Sequence, residues 1–384
     1  MAKWIAAAAG FIVVAAGVVF FIVAPVKADA DNNRVVAQAP HEISPEAAAL
    51  HASLRIADLH ADTLLWMRDP LKRQSRGHVD IPRLGEGGYR LQVFSAVTKT
   101  PKHMNFERNT GDTDNITLLA MAQRWPMRTW GSLAERALFQ AERLDRAAAK
   151  SAGALKVVHT RVELAAALEE GAIAGVLATE GAHPLEGDLA NLDRLYGAGY
   201  RVLGLHHFFD NELGGSLHGV SGEGLTEFGR QAVREALKRG MIIDVAHSSE
   251  AVARDVLAIA DRPIIVSHTG VRSQCDSRRN VSDALLKDIA EAGGLVGIGF
   301  WEGAVCAGTV EAIAEAIDYA VALLGPEHVA LGSDFDGAIT APIDAAHVSA
   351  ITEALLERGM APETIRLVMG ENEIRFFMEN LPEK

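Results

Sequence analysis

Eight short apolar runs, six of them closing on His, Asp or Glu, constrain the fold of this chain more than any other feature. They are LRIADLH (54–60), YRLQVFSAV (89–97), AIAGVLATE (172–180), YRVLGLHH (200–207), GMIIDVAH (240–247), RPIIVSH (262–268), GLVGIGF (294–300) and HVALGSD (328–334). Between them lie stretches such as 225–240, 249–260, 282–294 and 309–325, whose apolar residues recur three and four apart, the spacing of a helix with one buried face. Ser249 and Ser282 stand where helix N-caps belong, and Gly240 and Gly325 where helices stop. Strand then helix, repeated eight times, predicts a parallel (β/α)8 TIM-type barrel, with a doubly wound open sheet as the alternative. The polar strand ends favour the barrel, because there they converge on one mouth, whereas an open sheet spreads them along an edge. Segment 98–154, with a helix expected near 132–150, reads as an excursion over that mouth.

The first residues follow a different rule. Trp4 to Val26 carry no charge over 23 positions, which at about 1.5 Å per residue covers the roughly 30 Å of a bilayer core. Residues 1–27 are therefore expected to be a transmembrane anchor or a signal segment. The length favours an anchor, and Val26-Lys27-Ala28 keeps a cleavage site open. Lys3 marks the inner end, so the body is expected outside: inner-membrane anchored with a periplasmic or extracellular domain, or secreted if the segment is cleaved. Residues 28–45 read as a linker and 46–384 as the catalytic domain. The 49% hydrophobic content suits a large core, and the net charge of -13 without a basic cluster excludes a nucleic-acid partner.

His60 and Asp62 lie two apart, so on an extended strand they share a face, and both are metal-ligand types. Alone, such a pair is more often an ordinary hydrogen-bonded strand end. Glu180, His207, His247, His268 and Asp334 change that balance, each closing an apolar strand where an unpaired polar group is costly. His247 and His268, 21 residues apart, are expected on adjacent strands. Five ligands, His60, Asp62, Glu180, His247 and His268, exceed the three of an ordinary mononuclear catalytic zinc site, so a binuclear site is expected, with Glu180 as the bridge and a shared hydroxide as nucleophile. No GxSxG, HExxH, GxGxxG or P-loop competes. Asp58 has the same parity as His60 but lies deeper, which predicts a supporting hydrogen-bonding role, and alternation turns His206 away from the mouth.

DLHAD (58–62), HVDIPRLGEGGYRLQVFSA (78–96), TEGAHPL (179–185), LHHFFDNELG (205–214), IIDVAHSS (242–249), SHTGVRSQCDSRRNVSD (267–283) and LGSDFDG (331–337) together resemble the membrane dipeptidase (renal dipeptidase) family of the amidohydrolase superfamily. The resemblance implies a metallo-dipeptidase with two Zn2+ per chain: His60 and Asp62 on one ion, His247 and His268 on the other, Glu180 bridging. It also implies that Asp334 handles the proton, that His207 contacts the substrate carbonyl and that Arg279 binds the substrate carboxylate. Trp301 stands where relatives often have Tyr in the wall of the substrate site. Cys275 and Cys306 fall where some relatives form a disulfide. The implied partner is a small dipeptide, L-D pairs included, and a homodimer is among the assemblies permitted. N-acyl-amino-acid or lactam hydrolysis, and a non-catalytic surface binding barrel, are the competing readings.

Overall fold

The structure, a computed structural model, describes residues 2–36 and 41–383; of the expected linker, residues 37–40 lie outside the described residues, as do Met1 and Lys384. Eight parallel strands form the body: β1 (Ile56–Ala61), β2 (Tyr89–Val97), β3 (Ile173–Glu180), β4 (Tyr200–Gly204), β5 (Ile242–Asp244), β6 (Ile265–Thr269), β7 (Leu295–Ile298) and β8 (Val329–Leu331). Each pairs with the next in chain order, and an added strand, Leu155–Val157, pairs with the start of β3. A parallel bridge from Ala61 to Phe335 brings the last strand back to the first, and Asp62 N–H donates to the Phe335 carbonyl at 2.8 Å. The sheet is thus a nearly closed barrel.

Both faces of this sheet are apolar, which is why its strands read as continuous hydrophobic runs instead of alternating ones. Val176, Ile242, Ile265 and Leu295 belong to one buried cluster, while their neighbours Leu177, Ile243, Val266 and Val296 belong to another. Helices Glu227–Lys238, Glu250–Ile259, Asp283–Glu291 and Val310–Leu324 follow β4 to β7. The Ser249 hydroxyl accepts from Val252 N–H and caps its helix, whereas Ser282 occupies an N-cap without such a bond. Gly240 and Gly325 end their helices at φ 74° and 91°, values open to glycine.

The N-terminal helix runs from Ala2 to Asn32 through a wider π-type turn at Val19–Val23. It is long and apolar enough to cross a membrane, with Trp4, Ile5, Phe11 and Ile12 exposed. The start of the region expected as a linker is ordered: Asp29 is buried against Arg68 and Arg76, and Arg34–Val35 pairs in parallel with Thr340–Ala341. A buried carboxylate held by two guanidiniums fixes that stretch where a polar, Ala-rich composition suggested a loose tether.

Candidate active site

The C-terminal ends of the strands bring the predicted residues together although they span the sequence from His60 to Asp334. β1 supplies His60, with Asp62 just beyond it, and β3 ends on Glu180. β6 carries His268. β4 and β5 end earlier than the sequence suggested, at Gly204 and Asp244, so His207 and His247 sit on the loops that follow. His247 and Asp334 both occupy the left-handed region, at φ 61° and 59°, an uncommon backbone state for such residues that aims their side chains at the mouth.

Glu180 is the centre of the cluster. Its Oε1 lies 3.2 Å from Nε2 of His247, 3.4 Å from that of His207, 3.5 Å from that of His268 and 3.6 Å from that of His60. The Nε2 atoms of His247 and His268 approach to 2.9 Å, and His60 Nε2 stands 3.5 Å from Asp62 Oδ1. Ligand atoms of His60, Glu180, His268 and Asp334 fall within 4.8 Å of one another, as do those of Glu180, His207 and His247. All these side chains are buried. His60 Nε2, Asp62 Oδ1 and Glu180 Oε2 have no hydrogen-bond partner among the described residues. Buried, convergent and unsatisfied donors of this type fit a metal centre, which would satisfy them all.

Burial sets the proton affinities. It drives His247 and His268 well below the ordinary imidazole range, aided by the Arg279 charge at both and by His60 at His268, leaving neutral rings with lone pairs to offer. His207 falls to about 3 through burial and its His60 and His218 neighbours. At His60 burial is opposed and outweighed by Asp62, so its pKa rises. Burial, with Asp62 and Asp334 close by, lifts Glu180 well above the carboxylate range. Asp334 is pushed up to about 8, again chiefly by burial.

Supporting bonds hold the ring geometry. Ser267 Oγ contacts Nδ1 of His268 at 2.8 Å and of His60 at 3.4 Å. Asp244 accepts from the Ser267 and Ala246 amides. Asp58 accepts from the Ser333 amide at 2.7 Å and hydroxyl at 2.6 Å, one residue before Asp334, which gives it the supporting position expected of it. His206 contacts Ser248 Oγ at 3.0 Å, outside the cluster. Sequence reasoning missed Asp244, Ser267 and His218. A carboxylate inside the apolar run IIDVAH was the available signal for Asp244, since such a group must be hydrogen-bonded; nothing in the sequence marked Ser267 or His218.

A cavity of about 410 Å³ opens beside the cluster, a volume suited to a small molecule. Glu180, His207, His247, Arg279, Trp301 and Asp334 line it, joined by Met104 and Phe106 from the 98–154 excursion. Arg279 is buried and makes no ion pair with any described residue; one guanidinium nitrogen donates to the His268 carbonyl at 2.9 Å, and Nη1 has no partner. The neighbouring Arg278 is exposed and pairs with Glu107 at 3.6 Å. Arg279 also lies over the Trp301 ring at 5.3 Å. Cys275 and Cys306 form a disulfide that clips the Arg279 loop to the segment after Trp301.

Comparison with known proteins agrees with this picture. Residues 45–382 match the family described as membrane dipeptidase, peptidase family M19. Among solved structures, the dipeptidase AC, a metallo peptidase of family M19, is 26% identical with TM-score 0.70, covering 86% of this chain and 100% of that one. A metallo peptidase from Rhodobacter sphaeroides, liganded with a phosphinate mimic of the dipeptide L-Ala-D-Ala, is 25% identical with TM-score 0.69, covering 85% and 99%. The probable dipeptidase PvdM from Pseudomonas aeruginosa, 19% identical with TM-score 0.72 over 88% and 98% of the two chains, shares the fold.

Proposed function

Because this chain belongs to the membrane dipeptidase family and is a metallo-dipeptidase acting on small peptides, we propose that its centre holds two zinc ions and that its substrates are dipeptides with a free C-terminal carboxylate, L-D pairs included. The observation that carries the reading is the Glu180 carboxylate set among four imidazoles, with Asp62 and Asp334 alongside. His60 and Asp62 would hold one ion, His247 and His268 the other, and Glu180 would bridge them. Bound there, the pair would supply a water activated at neutral pH as nucleophile and polarise the scissile carbonyl.

The remaining roles belong to the chain's own side chains. Asp334, which lines the cavity beside Glu180, accepts the proton released in the attack and delivers it to the leaving amine. His207 lines the cavity and stabilises the developing oxyanion as a hydrogen-bond donor. Arg279 has an unpartnered guanidinium nitrogen and no direct ion pair among the described residues, so it receives the substrate carboxylate. Trp301 backs the Arg279 fork and walls the side-chain pocket. The L-Ala-D-Ala mimic in the Rhodobacter sphaeroides neighbour supports tolerance of a D residue at the second position.

The helix before Asn32 serves as a membrane anchor or export signal for a body, residues 46–384, that works outside the cytoplasm, and a homodimer is compatible with this arrangement. Metal analysis together with LL and LD dipeptides against N-acetyl amino acids tests the reading. Two zinc per chain and chelator-sensitive dipeptide turnover are expected. Higher kcat/KM on the acyl substrates would move the reaction to N-acyl-amino-acid hydrolysis, and metal below two per chain without turnover would favour a binding module.

A further inference from the structure

The stretch between the apolar helix and the barrel carries more structure than a tether needs. Asp29 is 2% exposed, with its Oδ2 2.7 Å from Arg76 Nε and 3.3 Å from Arg68 Nε. Arg68 continues to Asp336 at 2.6 Å, and Asp336 stands two residues beyond Asp334. Asn33 donates to Asp29 at 2.9 Å and accepts from the Ala338 amide at 3.1 Å. His78 completes the clasp. Its Nδ1 accepts from the Asp336 amide at 3.0 Å, which leaves the Nε2 proton to be donated to the Arg34 carbonyl at 2.9 Å.

From there the backbone joins the loop after β8. Arg34 N–H donates to Ile339 O at 3.2 Å and Val36 N–H to Ala341 O at 2.9 Å, in parallel register. The loop receiving these bonds, residues 337–341, lines through its first four residues the cavity that holds Glu180, Arg279 and Asp334, and Val36 lines it too. Two buried side chains, Asp29 and Asn33, and one ring, His78, therefore hold an added strand at the edge of the peptide pocket.

We infer that Asp29–Val36 is a specificity-determining wall of the substrate site, clamped by Arg68 and His78, which limits the length of peptide the pocket accepts. The inference rests on reading that cavity as the peptide site. Val36 supplies the contact surface, and Asp29 and Asn33 are positioning residues that act through Arg68 and the 337–341 loop. An extended edge of this kind narrows a pocket without touching the reacting atoms, so its loss changes binding and selection more than chemistry.

The test compares the full-length protein with Asp29→Ala/Asn33→Ala, which releases the clasp, and with Val36→Gly, an exposed position that removes only the wall surface. Substrates are Ala-Ala and Ala-Ala-Ala, and amide hydrogen exchange over residues 30–36 reports undocking. The double variant should exchange faster there. In both variants KM for Ala-Ala should rise with kcat nearly constant, and the tripeptide-to-dipeptide ratio of kcat/KM should rise about tenfold. An unchanged ratio in Val36→Gly, or in the double variant once exchange has accelerated, overturns the inference. Absence of Ala-Ala turnover in the parent protein overturns the reading of the cavity itself.

Discussion

A group that takes up and releases a proton in one cycle has to stand beside the reacting atoms, and Asp334, lining the cavity with Glu180, is the residue proposed for that task. Asp334→Asn keeps the shape and removes the base; kcat should fall by about 10² to 10⁴ with metal content unchanged, as metal analysis beside steady-state kinetics would reveal. Glu373 presents the opposite case, a buried carboxyl with no task at the site. Both its oxygens lack hydrogen-bond partners among the described residues, and burial, together with the Asp58 charge, pushes its pKa well above the usual value. A raised carboxyl pKa gives its full contribution to stability below the unfolded value of 4.5, and that contribution is lost as pH rises towards the folded value. Glu373→Gln should match the parent protein in thermal unfolding at pH 4 and exceed it at pH 8, by about 1–3 kcal/mol.

Among the elements, the loops after the strands carry the chemistry and the disulfide carries part of their order. Cys275–Cys306 ties the Arg279 loop, after β6, to the turn after Trp301, following β7. Replacing both cysteines by Ser should lower stability by about 2–4 kcal/mol and raise dipeptide KM more than it lowers kcat, because the Arg proposed to bind the substrate carboxylate is what loosens. Thermal melts and Michaelis curves on the same preparation check both parts. All eight strands were legible in the sequence because a sheet covered on both faces demands continuous apolar runs, and a polar residue closing such a run is conspicuous. His60, Glu180 and His268 could be read off that rule, Asp62 came from its two-residue spacing to His60, and His207, His247 and Asp334 followed the rule although each stands beyond its strand. The docked stretch at Asp29 was not legible: its partners Arg68 and Arg76 are some forty residues away, and nothing in ADADNN distinguishes a buried acid from a solvated one. Ser267 was hidden for a similar reason, since a hydroxyl beside His268 looks the same whether it orients rings or not.

For the whole molecule, the centre concentrates Asp62, Glu180 and Asp334 in a buried space, where burial and neighbouring carboxylates raise the proton affinity of Glu180 and Asp334. Metal ions relieve that repulsion and satisfy the unpartnered donors, so their binding is also folding free energy. Removal by a chelator should lower the melting temperature as well as abolish turnover, by an amount corresponding to about 2.7 kcal/mol where free metal had stood at 100 times its Kd. Calorimetry before and after chelation, with recovery on adding zinc, measures it. The barrel seam has a consequence for timing. His60 comes from the first strand, Asp62 from just beyond it and Asp334 from beyond the last, and the seam that joins them includes the Ala61–Phe335 bridge and the bonds from Ser333 to Asp58. No nascent fragment lacking the last strand contains a working centre. Hydrolytic competence therefore arrives only when the C-terminal end of the barrel has been made and has closed against the first strand, so the order of the strands delays the chemistry until the fold is complete.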